Sequence, residues 1–252
     1  MITLLDVDAD FMLNRDYNWS WSGPHARSKS KIVISGKTLG RVLKPFLKED
    51  TEIILETDHH ESLYWWDCYD VHDALCIHID AHHDMWSNDG VAPGIRDRVD
   101  CGNYLQQALC DKIVRKVVFV PSPFKDARFE RADILDNLGR RVKPDRLHVQ
   151  RWKVFKKHVF DYPRADIITI STSPEWFPSQ HWHQVEDLAK ILGVKNNALQ
   201  QAEDKAFQKW QGMNTGRPTH WGDNDFQFPY FGLKSTTLKQ LRESLRLKKV
   251  KK

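Results

Sequence analysis

Short runs of apolar residues alternate along the chain with stretches in which apolar residues recur every three or four positions. The runs predict β-strands, and the wider spacing predicts amphipathic helices. This alternation is typical of a mostly parallel α/β sheet, so we expect a single three-layer α/β domain. The predicted strands are 2–8, 52–56, 74–80, 117–120, 147–150 and 167–171. The predicted helices are 35–47, 182–192, 198–210 and 236–247, with two more beginning at 61 and 103.

Three long polar segments interrupt this alternation and are rich in glycine, proline or tryptophan. They cover 14–31, 85–100 and 212–231. Loops of this length in a compact domain are usually functional or disordered. Ligands of parallel α/β sheets bind beyond the carboxyl ends of the strands. Since two of these loops follow strands that end in acids, we expect them to line a substrate groove.

Composition restricts the class of protein further. A chain of 252 residues, 40% of them apolar, can bury a large core without disulfides. Its four cysteines form no C-x-x-C pair, which predicts reduced thiols and a cytoplasmic location. It has no apolar run long enough to span a membrane, and its first residues lack the basic start and small-residue cleavage site of a signal peptide, so we expect neither feature. We expect one domain over 1–252.

The net charge of +4, from 38 basic and 34 acidic residues, is too small to indicate nucleic-acid binding. Part of the excess lies in a basic C-terminal tail at about 246–252. Outside this tail the basic residues are dispersed along the sequence. We therefore expect neither a nucleic-acid nor a membrane partner.

The strongest chemical signal ends the third predicted strand, where Asp80, His82 and Asp84 follow a run of buried residues. A buried carboxylate is costly unless it is paired or binds a metal. Asp80 and His82 are two positions apart, so both side chains can point toward one site, and Asp84 follows within reach. The pattern predicts metal binding. His78, inside the strand, is expected to pack in the core or to support the site from behind.

Two other predicted strands also end in acids. Asp6, Asp8 and Asp10 alternate at the end of the first strand, and they share a face if the strand stays extended. Asp58 and His59 follow the second strand. The three strand ends can converge on one site. Oxygen-rich ligand sets with some imidazole suit Mn²⁺, and also Fe²⁺ or Zn²⁺, and this many carboxylates suggests two ions that share one carboxylate.

These motifs resemble those of the ureohydrolases, the arginase, agmatinase and formiminoglutamase superfamily. The stretch Asp80-Ala81-His82-His83-Asp84 matches the family's DAHxD motif, Asp58-His59 resembles its earlier metal-binding histidine, and Asp6-Val7-Asp8 resembles its second acidic motif. In ordinary arginases that acidic motif comes late in the chain, whereas here it opens the chain. The order is thus that of a circular permutation. It is similar to the UPF0489-type branch, which includes peptide arginases that convert arginine side chains of ribosomally made precursor peptides into ornithine.

The resemblance implies an arginase/deacetylase-like fold and a set of metal ligands. Asp80 is the implied bridging ligand. His59 is preferred over His60, because the family's histidine directly follows an acid. Asp8 is implied together with either Asp6 or Asp10. The complete implied set is Asp6, Asp8, Asp10, His59, Asp80, His82 and Asp84, holding Mn²⁺, with two ions per chain.

The resemblance also implies substrate-binding and catalytic residues. Glu175 is the expected anchor for the guanidinium, since a carboxylate accepts paired N–H donors from that group. Asn103 lies in a segment similar to one that holds the free amino acid in arginases. Leu105 stands where arginases carry a histidine that aids proton transfer. The candidate substitutes are His25, His181, His183 and His220, and His220 is preferred. Asp84 is the expected proton carrier for the departing amine.

The implied activity is hydrolysis of arginine in a precursor peptide to ornithine and urea by a hydroxide held between the metals. A clamp for the free amino acid that differs from that of arginases is compatible with a peptide substrate. Two alternatives share the metal chemistry: a metal-dependent deacylase, and a ureohydrolase acting on a free small guanidine. A third is a non-enzymatic binding module that uses the basic tail.

Overall fold

Six parallel strands form one sheet in the computed structural model, which describes residues 1–14, 30–86, 99–138, 142–174 and 176–214. The strands, labelled β1 to β6 in chain order, are Thr3–Asp8, Glu52–Glu56, Ala74–Asp80, Val114–Pro121, Leu147–Val149 and Ile167–Ser171. Their order across the sheet is β2-β6-β1-β3-β4-β5. The expectation of a parallel α/β sheet is confirmed. β1 lies near the middle of the sheet, with β2 and β6 on one side and β3, β4 and β5 on the other. Ligands of open α/β sheets bind where the strand order changes direction in this way.

Helices among the described residues, labelled α1 to α7, connect these strands. They are Gly36–Leu43, Glu61–Cys68, Tyr104–Cys110, Ala127–Asn137, Trp152–Phe155, Trp182–Leu192 and Asn196–Asn214. The predicted helix 35–47 ends early, and its last residues form a 3-10 turn, Lys44–Phe46, that contains a proline. The fourth and fifth helices were not predicted. The predicted helix 236–247 and the basic tail 246–252 lie outside the described residues.

The sheet separates two apolar clusters, and the alternation of side chains along each strand decides which cluster a residue joins. Leu5 and Val7 belong to the cluster with α1, α6 and α7. Leu4 and Cys76 belong to the other, which includes residues of α2, α3 and α4. Helices therefore cover both faces, as expected of three layers. Asp6, Asp8, His78 and Asp80 share the alternation of Leu4 and Cys76, so their side chains lie on that second face.

The register of the central strands places the polar residues of neighbouring strands side by side. Asp6 of β1 is paired with His78 of β3 and with Thr169 of β6. Asp80 is the last residue of β3 and is paired with Pro121, the last residue of β4. Asp80 therefore lies at the carboxyl edge of the sheet. None of the described helices is long and apolar enough to cross a membrane.

Candidate metal centre

A buried cluster of carboxylates and imidazoles lies at the carboxyl ends of β1, β2 and β3. Asp8 is the last residue of β1, His59 follows β2, and Asp80 ends β3. Asp84 and Asp10 come from the turns just beyond β3 and β1. All five side chains are almost completely buried. The sequence prediction that three strand ends converge is therefore met by the arrangement of these residues.

One half of the cluster surrounds His59. Its Nδ1 atom lies 3.1 Å from an oxygen of Asp8, 3.0 Å from an oxygen of Asp80 and 3.1 Å from an oxygen of Asp84. Despite these short distances, His59 Nδ1 and the nearest Asp80 oxygen have no hydrogen-bond partner. Three carboxylates that face one imidazole nitrogen without hydrogen bonds form a ligand set suited to a cation. His60 belongs to none of the candidate ligand groups found among the described residues.

The other half of the cluster is built around His82. Its Nδ1 lies 3.0 Å from Asp10 Oδ2 and 3.9 Å from Asp80 Oδ1. Asp80 thus faces both halves, and the sets Asp8–His59–Asp80 and Asp10–Asp80–His82 each bring three ligand-type atoms within 4.8 Å of one another. These buried groups of aspartate and histidine could hold a metal ion.

Asp10 reaches the cluster by a route that differs from the extended strand considered in the sequence analysis. β1 ends at Asp8, and the chain then turns into a short 3-10 helix, Ala9–Met12. The Asp10 N–H donates to Asp8 Oδ1 at 2.9 Å, and the Ala81 N–H donates to Asp10 Oδ1 at 3.3 Å. The turn, and not strand alternation, directs Asp10 toward His82.

Asp6 lies deeper than the other acids and is surrounded by donors. Ser62 and Thr169 donate to its Oδ1 at 2.7 and 2.6 Å. At its Oδ2, Tyr104 donates at 2.6 Å and His78 Nδ1 lies at 2.9 Å. The same Oδ2 lies 3.3 Å from His59 Nε2. Distances alone would also allow Asp6, His59 and His78 to hold an ion.

The contacts of Asp6 are those of a residue that positions a metal-binding histidine, here His59. Metal-binding histidines commonly direct their second ring nitrogen at a carboxylate, which fixes the ring. Asp6 stands in that relation to His59, whose Nδ1 faces the three other carboxylates. His78 extends the support, because its Nε2 lies 3.2 Å from the His82 carbonyl oxygen.

Asp6→Asn is expected to weaken Mn²⁺ binding about 10- to 100-fold while the number of ions bound at saturation stays the same. Asparagine keeps the size of the side chain but removes the charge that orients His59 and His78. Calorimetric titration with Mn²⁺ and metal analysis at saturation measure both quantities. Fewer ions per chain at saturation would show that Asp6 is itself a ligand.

Burial and mutual repulsion dominate the electrostatics of the cluster. Burial raises the pKa of Asp80 well above its usual value, and the charges of Asp10, Asp84 and Asp8 raise it further. Burial also raises the pKa of Asp6, but the charges and hydrogen bonds of His59 and His78 outweigh burial and hold that pKa well below the ordinary value. A cation would remove the repulsion at Asp80, which supports the fit of a metal to these residues.

A polar residue that the sequence analysis did not single out continues this network. Ser62 Oγ lies 2.7 Å from Asp6 Oδ1 and 2.6 Å from Glu56 Oε1, yet a hydroxyl carries one proton. Burial raises the pKa of Glu56 well above its usual value, and the charges of Asp6 and Glu61 add to this. A protonated Glu56 satisfies the geometry by donating to Ser62, which in turn donates to Asp6.

Two residues with positive φ hold the turns around the cluster. Asp84 has φ 51° and Ser173 has φ 40°, both unusual for residues with a side chain. Strained backbone of this kind tends to occur at functional sites. The Asp84 carbonyl accepts from the Leu105 N–H at 3.2 Å, and the Ser173 hydroxyl donates to Asp8 Oδ2.

The predicted substrate residues have different outcomes. Asn103 Oδ1 accepts from the Asp100 N–H at 3.0 Å and thereby closes the turn before α3. The Leu105 side chain is fully buried in the apolar cluster on that face. Glu175 and His220 lie outside the described residues, and their roles stay predictions.

A scan against protein-family models, a search of curated proteins and a search of solved structures each found no match to this chain.

Proposed function

We propose that this protein is a manganese-dependent hydrolase that converts arginine side chains in a peptide to ornithine and releases urea. The observation that carries the proposal is the convergence of three carboxylates and two imidazoles around the shared Asp80, with His59 Nδ1 facing three carboxylate oxygens without a hydrogen bond. This arrangement fits the ligand set implied by the resemblance to ureohydrolases. We extend the proposal to an arginase-like fold with permuted motif order.

Two ions fit the donor set better than one. Asp84 and His59 lie on one side of Asp80, and Asp10 and His82 lie on the other. Asp8 completes the first side through its contact with His59. The oxygen-rich donors with one imidazole on each side favour Mn²⁺.

Divalent cations in this cluster would lower the pKa of a water molecule and so supply hydroxide near neutral pH. The substrate guanidinium is itself a cation, and bound metal ions would largely neutralise the carboxylates of the cluster, so a further carboxylate is needed to bind it. Glu175 is the proposed anchor for its paired N–H donors. In the reaction, the water oxygen bonds to the guanidinium carbon and the bond from this carbon to the side-chain nitrogen breaks. The departing amine takes up a proton, and Asp84 is the proposed carrier.

A peptide substrate agrees with the surroundings of Leu105. In the family this position carries a histidine beside the amino-acid clamp. Here the Leu105 side chain is buried in the core and its N–H donates to the Asp84 carbonyl, so the position supplies packing and no proton transfer. Asn103 closes its own turn. A clamp altered in this way suits arginine whose α-amino and α-carboxyl groups are in peptide bonds.

Mass spectrometry of an arginine-containing peptide incubated with Mn²⁺-loaded protein tests the proposal. We expect a loss of about 42 Da per converted arginine, together with urea, as hydrolysis at the metal site requires. Free arginine in a parallel reaction is expected to stay unchanged, and conversion of free arginine alone would make the protein a small-molecule ureohydrolase. If neither changes while metal is bound, the proposal is wrong, and acetylated peptides then test the deacylase alternative.

A further inference from the structure

His82 is the most exposed of the candidate ligands among the described residues. The His82 side chain is 24% exposed, whereas the side chains of Asp8, Asp10, His59 and Asp84 are between 1% and 7% exposed. His82 is therefore the candidate ligand that a molecule from solvent contacts most readily. A substrate that approaches His82 therefore also contacts the side chain beside this imidazole.

That neighbour is Trp176. Its ring centre lies 5.3 Å from that of His82, with the two rings inclined at 54°. The Trp176 side chain is only partly buried, so it presents apolar surface to solvent beside His82.

The turn that carries Trp176 is fixed to the cluster. Ser173, at φ 40°, accepts the N–H groups of Trp176 and Phe177 at 2.8 Å each. The Ser173 hydroxyl donates to Asp8 Oδ2, and the Phe177 side chain is fully buried. Two anchors, one in the cluster and one in the core, therefore hold the indole in place before a ligand arrives.

From this geometry we propose that Trp176 is a specificity-determining residue whose indole receives the planar cation of the substrate beside His82. Tryptophan is the aromatic residue that attracts cations most strongly, and a guanidinium can stack flat on its ring. The inference rests on the proposed function, since it assigns the selection of a guanidinium to a residue of that site.

The test compares a peptide containing one arginine with the same peptide carrying citrulline, its neutral analogue. Trp176→Leu is expected to raise KM for the arginine peptide about 5- to 30-fold with kcat nearly unchanged. The inhibition constant of the citrulline peptide is expected to change much less. Trp176→Phe, which keeps an aromatic ring, is expected to restore most of the affinity. Trp65→Leu is the matched control, because Trp65 lies in α2 and is partly buried against the core.

The metal content of each variant is measured alongside, since loss of metal would imitate loss of substrate. An unchanged KM in Trp176→Leu, or equal weakening of both peptides, would overturn the inference and leave Trp176 as a cover for His82. If the parent protein releases no urea, the proposed function fails separately. Calorimetric binding of the two peptides to the same variants then decides the role of Trp176 on its own.

Discussion

Asp80→Asn is expected to abolish both metal loading and urea release. Asp80 belongs to three of the four candidate ligand groups among the described residues. Its Oδ2 lies 3.0 Å from His59 Nδ1, and its Oδ1 accepts the His82 N–H at 2.9 Å. Asparagine offers one oxygen and no charge, so neither half of the cluster keeps its shared ligand. Metal ions contribute several kcal/mol to such a transition state, and turnover should therefore fall by at least about 10³-fold.

Asp166→Asn is the matched control for this experiment. Asp166 immediately precedes β6, at the opposite end of the strands, where its carboxylate accepts the Thr3 N–H at 2.7 Å and pairs with Lys48. It is expected to keep full metal content, measured by elemental analysis of dialysed protein. If Asp80→Asn retained the parent's metal content and urea release, the assignment of the centre would be wrong. Parent-level metal with lost turnover would place Asp80 in the chemistry and not in metal binding.

Much of the fold could be predicted because the strands leave a strong pattern. β1, β3 and β6 are buried along their whole length and appear in the sequence as short runs rich in apolar residues. The fourth helix, Ala127–Asn137, leaves no such pattern, since only Ala127, Glu130 and Ile134 are buried. A helix held by so few apolar contacts gives no stripe for the sequence to reveal.

Spacing predicted which acids of β1 share a face but could not predict their depth. Asp6 and Asp8 do lie on one face. Asp6 is enclosed by Ser62, Tyr104 and Thr169, which come from distant parts of the chain. Only the packing of two helices and two neighbouring strands decides that Asp6 meets four donors, the fourth being His78 of β3, while Asp8 meets His59. Sequence periodicity carries no information about such contacts.

The role of Ser62 was missed for the same reason. On α2 it is an unremarkable polar residue in the first turn, yet it is fully buried between Asp6 and Glu56. A sign was present in the sequence, because Glu56 ends a predicted strand, and an acid buried at such a position needs a partner. The identity of that partner depends on how α2 packs against the sheet.

Removing the metal is expected to lower the melting temperature, and the difference should grow as pH rises. At a metal concentration about 1,000 times Kd, binding adds about 4 kcal/mol, which for a domain of this size corresponds to roughly 8–16 °C. Chelation with EDTA followed by calorimetry measures the loss. Re-addition of Mn²⁺ is expected to restore the parent value, and Mg²⁺ at the same concentration is the control cation.

The pH dependence of this difference follows from the proton that a metal ion would displace from His59. Burial lowers the pKa of His59, but Asp6 and Asp8 outweigh burial and hold it well above the ordinary value. The metal-free folded state therefore keeps a proton that the unfolded chain releases above about pH 6.5, and its stability falls as pH rises beyond that point. Burial lowers the pKa of His83 to about 4. Above pH 6.5 this residue is neutral in both the folded and the unfolded chain, so it does not change the pH dependence of stability there. The metal-loaded protein keeps its stability because a cation neutralises the same carboxylates. A difference in melting temperature that stayed constant from pH 6.5 to pH 8 would show that the metal binds away from His59.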